Sequence, residues 1–195
     1  DLLDEARRGL EWLLSVQVAE GGVRSTTCLT TYAAYGRNPP EVGPPYVNGE
    51  VGTLATARAV GVFGSAAALY RAIDPAFAAR LLDAGLRGWR YLEARPDEHS
   101  DGATCSAYRQ DGDARAGRAV RMFAAAGLLV ATGDVAYRDA FEVHYLDIED
   151  EPSPYRFSAY AALLYRRATS TDPTRLHVID ARRAAAAAAI VASAD

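Results

Sequence analysis

Seven separated stretches of this chain carry apolar residues at three- and four-residue spacing, and none alternates apolar with polar residues at period two. That periodicity predicts an all-α fold of about seven helices. Three of the six connections between them are short, and the helices are read as an antiparallel succession. The first stretch shows the pattern: Leu3, Ala6, Leu10, Leu13 and Gln17 form one stripe, and Leu2, Gly9, Trp12 and Val16 form a second. A helix with two apolar stripes is expected to pack on two sides, with Trp12 in the core. Asp1, Asp4 and Glu5 crowd its first turn, where the helix dipole favours negative charge.

The next helical stretch, Thr53 to Arg71, has Val60, Phe63, Ala67 and Tyr70 on one stripe and small residues at Ala55, Ala57, Gly61, Gly64 and Ala68. Each glycine costs about 1 kcal/mol of helix propensity. Close approach of neighbouring helix backbones is the compensation expected. Asp74-Pro75 and Asp172-Pro173 are helix starts, with aspartate as N-cap and proline at the first helical position. A helix follows the first and stops before Pro96, with Trp89 on its packed side. Others run from about Ala114 or Gly117 to Ala131, from Val135 to Tyr145, from Phe157 to Ala168, and from Asp172 to the end. The segments Val18 to Gly52, Pro96 to Asp113 and Leu146 to Tyr155 are rich in glycine, proline or charge and read as loops. The first is long and holds Asn38 to Pro45, whose prolines suit neither a helix nor a central strand. Loops of such length in compact domains often carry function.

The 195 residues, half of them hydrophobic, suffice for one domain with a substantial core. A net charge of −4 without a basic cluster argues against a nucleic-acid surface. No apolar run is long enough to span a membrane. All 21 basic residues are arginine, which reads as a compositional bias. The chain opens on Asp1 and not on methionine, so its natural start is expected to lie elsewhere. Cys28 and Cys105 are compatible with one disulfide or with two separate thiols. His99, His144 and His177 have no partners at metal-ligand spacing. Glu149-Asp150-Glu151 lacks the glycine and spacing of an EF-hand and reads as a solvated loop.

Four stretches, in order, carry a resemblance: DLLDEARRGLEWLLSVQ followed by GGV, TLATARAVGVFGSAAALY, DPAFAARLLDAGLRGWRYLEA and MFAAAGLLVATGDVAYRDAF. Together they resemble the middle of the catalytic domain of glycoside hydrolase family 9. That resemblance implies a partial (α/α)6 barrel, inverting hydrolysis of β-1,4-glucan such as cellulose, and a secreted parent protein. It implies no cofactor for catalysis. The family's base comes from an Asp-Ala-Gly-Asp motif before the first helix, and its acid is a glutamate near the end of the full domain. Neither motif is in this sequence, so no catalytic residue is assigned, and the chain alone is expected to be inactive. Where the loop after Gly21-Gly22-Val23 often carries a cleft histidine, this chain has Ser25.

The resemblance also implies a structural calcium ion held by Asp4, Glu5 and Glu50. Calcium takes several oxygen ligands, carboxylates among them. On spacing alone these are first-turn acids and a solvated loop charge. Tyr32, Tyr35, Tyr46 and Tyr108 fall in loops, where an aromatic face can stack on a sugar ring, or simply line a half-buried loop base. Another (α/α)6 sugar-active enzyme such as an epimerase, and a noncatalytic helical scaffold, are the alternatives. A partial barrel would leave apolar helix faces exposed and so favour self-association.

Overall fold

The computed structural model describes residues 1–29, 46–97, 114–145 and 157–193. Seven helices follow in order among them: α1 (Leu2–Ser15), α2 (Thr53–Tyr70), α3 (Pro75–Glu93), α4 (Ala114–Thr132), α5 (Val135–His144), α6 (Phe157–Tyr165) and α7 (Pro173–Ala192). The starts of α3, α5 and α7 are set by aspartates: Asp74, Asp134 and Asp172 accept from the backbone N–H of Phe77, Ala136 and Arg175. Each cap supplies an acceptor that the first turn lacks. Gly133 takes φ +71° at the α4–α5 turn, and its N–H donates to the Leu129 carbonyl, closing α4.

The expectation of no strands is corrected. Among the described residues, four short strands lie between α1 and α2: β1 (Val23–Arg24), β2 (Thr27–Leu29), β3 (Tyr46–Asn48) and β4 (Val51–Gly52). β1 pairs antiparallel with β4, and β2 with β3 in the register Thr27 to Asn48 and Leu29 to Tyr46. Strands of two or three residues are too short for alternation to register in sequence. They are held by their partners, with Val23 N–H also anchored on Thr56 Oγ1 at 2.8 Å.

Burial separates the helices into two layers. Twelve of the eighteen residues of α2 are buried, whereas α1 buries Leu10 alone and α7 Ile179 alone. α3 runs antiparallel to α2: the Tyr70 and Phe77 rings meet edge-to-face at 5.1 Å, Gly85 faces Phe63 and Gly64, and Gly88 faces Val60. α4 runs parallel to α2, because Gly61 meets Phe123 and Gly127, Gly64 meets Gly127 and Leu128, and Arg71 donates to the Ala131 carbonyl. α6 runs the same way as α4: Phe157 lies 5.3 Å from Phe123, while Thr169 and Ser170 approach Gly133. Inner helices α2, α4 and α6 therefore start at one end, and α1 and α3 return outside them. This is part of an (α/α)6 barrel.

Two expectations about α1 fail. Its second stripe is packed only at Val16: Leu2 and Trp12 are exposed, Trp12 at 57%, as is Leu3 of the first stripe. Among the described residues no element covers that side. Trp89 does pack, edge-to-face on Tyr137 at 5.4 Å. The ring is also open, with Leu69 on α2, Tyr160 and Leu163 on α6, and Ile190 and Val191 on α7 exposed.

The small residues on α2 and α4 carry their interface. A Cβ on Gly127 would stand 2.5 Å from the Gly61 carbonyl oxygen, and one on Gly64 would strike the Gly127 backbone. Gly64→Ala is expected to cost about 2–3 kcal/mol in chemical denaturation, since overpacking against backbone outweighs the helix-propensity gain. Gly9→Ala on α1, with nothing within 4 Å of the new methyl, is expected to stabilise by about 0.5–1 kcal/mol. Equal responses of the two variants would contradict this packing.

Candidate functional site

Because α2, α4 and α6 are parallel, the three long connections of the chain all lead into the same end of the inner layer. The β1–β4 ladder sits there, locked to the first turn of α2. Thr56 Oγ1 donates to the Gly52 carbonyl at 2.7 Å while accepting from Val23. Gly22 is pressed against Val51 and the Tyr91 ring, and Gly21, at φ +96°, lies against the Arg87 carbonyl. Ser25 N–H donates to the Glu50 carbonyl at 2.8 Å.

Glu50 is 5% exposed, and among the described residues its Oε2 has no hydrogen-bond partner; Ser25 Oγ is buried and likewise without one there. A buried carboxylate oxygen without a partner is costly, and such atoms call for an account. Asp4 and Glu5 are placed quite differently. Asp4 forms a reciprocal capping box with Asp1, Glu5 pairs with Arg8 at 3.2 Å, and their side chains are 71% and 73% exposed. A shallow hollow of about 320 Å³ beside them is lined by Asp1, Asp4, Glu5, Arg7, Arg8 and Glu11, without Glu50. No three carboxylate, histidine or cysteine side chains are gathered to hold a metal among the described residues. Asp4, Glu5 and Glu50 are thus not gathered into one group among the described residues. The reason is local: the first two are spent on helix capping and ion pairing, and the third is turned into the β3–β4 corner.

Of the tyrosines expected to meet sugar, Tyr32, Tyr35 and Tyr108 lie outside the described residues, as do Cys105, His99 and the acidic run at 149–151. Tyr46 is placed on β3 opposite Leu29. His177 is exposed; His144, at the end of α5, is half-buried, and burial together with Arg121 and Arg118 pushes its pKa below the usual histidine range.

Three polar features had not been singled out. Arg121 is 8% exposed and donates to the carbonyls of Leu92 at 3.2 Å and Arg95 at 2.6 Å, closing the end of α3. Glu142 accepts from Tyr165 Oη at 2.7 Å and from Arg175 Nε at 2.5 Å, while Tyr165 Oη accepts from Asp172 N–H at 2.8 Å. Burial first, and Glu142 beside it, push the Tyr165 hydroxyl pKa far up, so it stays a donor. This network binds α5, α6 and α7. The third is an aromatic group at the shared helix end. Phe157, the first residue of α6, lies 5.3 Å from Phe123 and 6.4 Å from Tyr160, with the Arg58 guanidinium of α2 5.2 Å from its ring. The sequence signal for it was available: Arg58 is the one charged residue in α2.

A helical ring whose inner helices share one loop-bearing end, with small residues bringing those helices together, is the architecture of the (α/α)6 carbohydrate-active enzymes. The sequence profile of glycosyl hydrolase family 9 matches residues 1–194, and the chain belongs to that family. Solved structures agree. The family 9 endoglucanase J30 is 27% identical with a TM-score of 0.84, over 95% of this chain and 35% of that one. AaCel9A, solved with a cellobiose-like isofagomine, is 26% identical with a TM-score of 0.78, over 90% of this chain and 34% of that one. A family 9 protein of Bacteroides ovatus, at 20% identity and a TM-score of 0.76, shares the fold over 93% of this chain and 35% of its own. No curated protein sequence matches. The chain thus spans about a third of the length of these structures.

Proposed function

We propose that the whole protein is an inverting glycoside hydrolase acting on β-1,4-glucan outside the cell, and that these 195 residues alone do not catalyse. The observation that carries the reading is the family profile running over residues 1–194. The likeness to endoglucanase J30, and to AaCel9A with its cellobiose-like ligand, favours a glucan as substrate. No helix among the described residues is long and apolar enough to cross a membrane.

Inverting hydrolysis needs two carboxyl groups across the scissile bond, one to protonate the leaving oxygen and one to activate water. The aspartates best fixed here are engaged otherwise: Asp74, Asp134 and Asp172 are helix caps. Glu142 is held by Tyr165 and Arg175. The expected acid and base motifs are absent from the sequence. The purified 195-residue chain is therefore expected to release no reducing sugar from soluble β-glucan, whereas the full-length protein releases it with inverted anomeric configuration by NMR. Turnover by the isolated chain, or retention of configuration by the full protein, overturns the reading.

Leu69 on α2, Tyr160 and Leu163 on α6, and Ile190 and Val191 on α7 are exposed apolar side chains, and such residues favour contact with a second copy. Sedimentation velocity on the isolated chain at micromolar concentration is expected to show species larger than the monomer. A single monomeric boundary would refute that association.

A structural calcium ion is retained in the proposal, held from Glu50 and Ser25 and not by the three carboxylates together. Glu50 Oε2 and Ser25 Oγ, both without a partner among the described residues, are oxygens of the kind calcium takes. The ion would neutralise a buried carboxylate and tie the β3–β4 corner to the start of α2. Calcium is expected to raise the Tm of the chelator-treated protein, and Glu50→Gln to remove the rise. Coincident Tm values with and without calcium would discard the site.

A further inference from the structure

The strand pairs that precede α2 keep one register throughout. Val23 lies opposite Gly52 and Arg24 opposite Val51, and the same count continues with Thr27 opposite Asn48 and Leu29 opposite Tyr46. It sets Ser25 opposite Glu50, and the Ser25 N–H donates to the Glu50 carbonyl at 2.8 Å. Residues directly opposite in an antiparallel pair share one face of the ladder. Glu50 Oε2 and Ser25 Oγ, both buried and without a partner among the described residues, therefore belong to one corner. Arg24, one position before Ser25, is turned to the Gly49 carbonyl, to which its Nη1 donates at 3.0 Å.

The corner bears on the start of α2. Aspartate side chains cap α3, α5 and α7, but Gly52 gives α2 no side-chain cap. The ladder holds that first turn instead: Thr56 Oγ1 joins the Val23 N–H to the Gly52 carbonyl, and Val23 and Val51 are buried beside it. A carboxylate buried without a partner disfavours this closed arrangement. The contact of α2 with α4 lies further along the helix, at Gly61, Gly64 and Gly127, and does not involve the corner. The ladder is thus able to open while the inner layer stays packed. We propose that the Ser25–Glu50 corner is a cation-controlled latch: the β1–β4 ladder opens locally while the Glu50 carboxylate is bare, and closes on the first turn of α2 when calcium takes the oxygens of Glu50 and Ser25. The latch puts the shape of the loop-bearing end, where α2, α4 and α6 begin, under the control of that ion.

This inference rests on the calcium reading above, and the test separates the two. Amide hydrogen exchange of the chelator-treated full-length protein is followed by mass spectrometry with and without added calcium chloride, and calcium binding is measured by calorimetry. In chelator, the ladder amides of Val23, Ser25 and Gly49 are expected to exchange at least about tenfold faster than those around Gly64 and Gly127, as local opening requires. Calcium is expected to slow the ladder amides at least about tenfold, because it binds the closed ladder alone. Glu50→Gln removes the charge and keeps the shape, so it is expected to slow them in chelator and to leave calcium without further effect. Ser25→Ala keeps the charge, and is expected to match wild type in chelator and to need more calcium for the same slowing. Calcium that binds without slowing the ladder overturns the latch alone. So does a ladder that exchanges no faster than α2 and α4 in chelator, or a folded Glu50→Gln protein whose ladder exchanges as fast as wild type. A wild-type protein that binds no calcium overturns both.

Discussion

The contact between the backbones of α2 and α4 governs the rest of the structure. Gly61, Gly64 and Gly127 have no side chain to hold the two helices apart, so each meets the other helix directly at main chain or ring. The entropic cost of three glycines in helices is offset only if that closeness is used, and here it is used twice. It allows Phe123 to lie over Gly61, and it lets α3 settle against α2 through Gly85 and Gly88, with Gly85 also facing Leu128 of α4. Parallel packing of α2 on α4 then forces the helix starts to one end. Once three helices start together, the three long connections that precede them all lead into that end. The location of the candidate site is in this sense a consequence of glycine placement.

Much of this was legible in the sequence, because helix periodicity and capping are local signals. The Asp-Pro starts at 74 and 172 and the turn at Gly133 fall where local rules place them. What was not legible depends on partners far along the chain. Gln17 was counted on an apolar stripe, yet its amide donates to the carbonyls of Gly21 and Ala84 and accepts from Arg87. It joins the exit of α1 to α3, a role no local pattern reveals. Trp12 was assigned to the core on periodicity alone, but periodicity says which residues share a face and not whether anything covers it. The strands failed for a simpler reason: Val23–Arg24 and Val51–Gly52 are too short to show a period.

The candidate site divides the same way. Asp4, Glu5 and Glu50 were grouped by resemblance, which carries residue identity but not geometry. In the fold, the acids of the first turn serve the helix that they begin, and Glu50 differs from them in burial and partners. Arg58 and Phe157 are 99 positions apart in sequence, and only the parallel stacking of α2, α4 and α6 makes them neighbours. The tyrosines, in contrast, were chosen because they sit in loops, which is a statement about composition and not about direction.

The exclusive use of arginine takes on a different meaning once its contacts are known. Compositional bias explains why lysine is absent but not where the arginines went. Arg7 bonds Asp74 at 2.8 Å while its guanidinium lies 4.3 Å over the Phe77 ring, so one side chain ties α1 to the capped start of α3. Arg175 bonds Glu142 and lies 4.1 Å over Tyr145, doing the same for α5 and α7. Arg121 reaches the carbonyls of Leu92 and Arg95 together, which an ammonium group on a flexible stem does less well. Each of these uses the planar fork, the aromatic-facing plane, or both. The fold therefore exploits what the bias supplied: guanidinium groups tie α1 to α3, α7 to α5, and the end of α3 to α4.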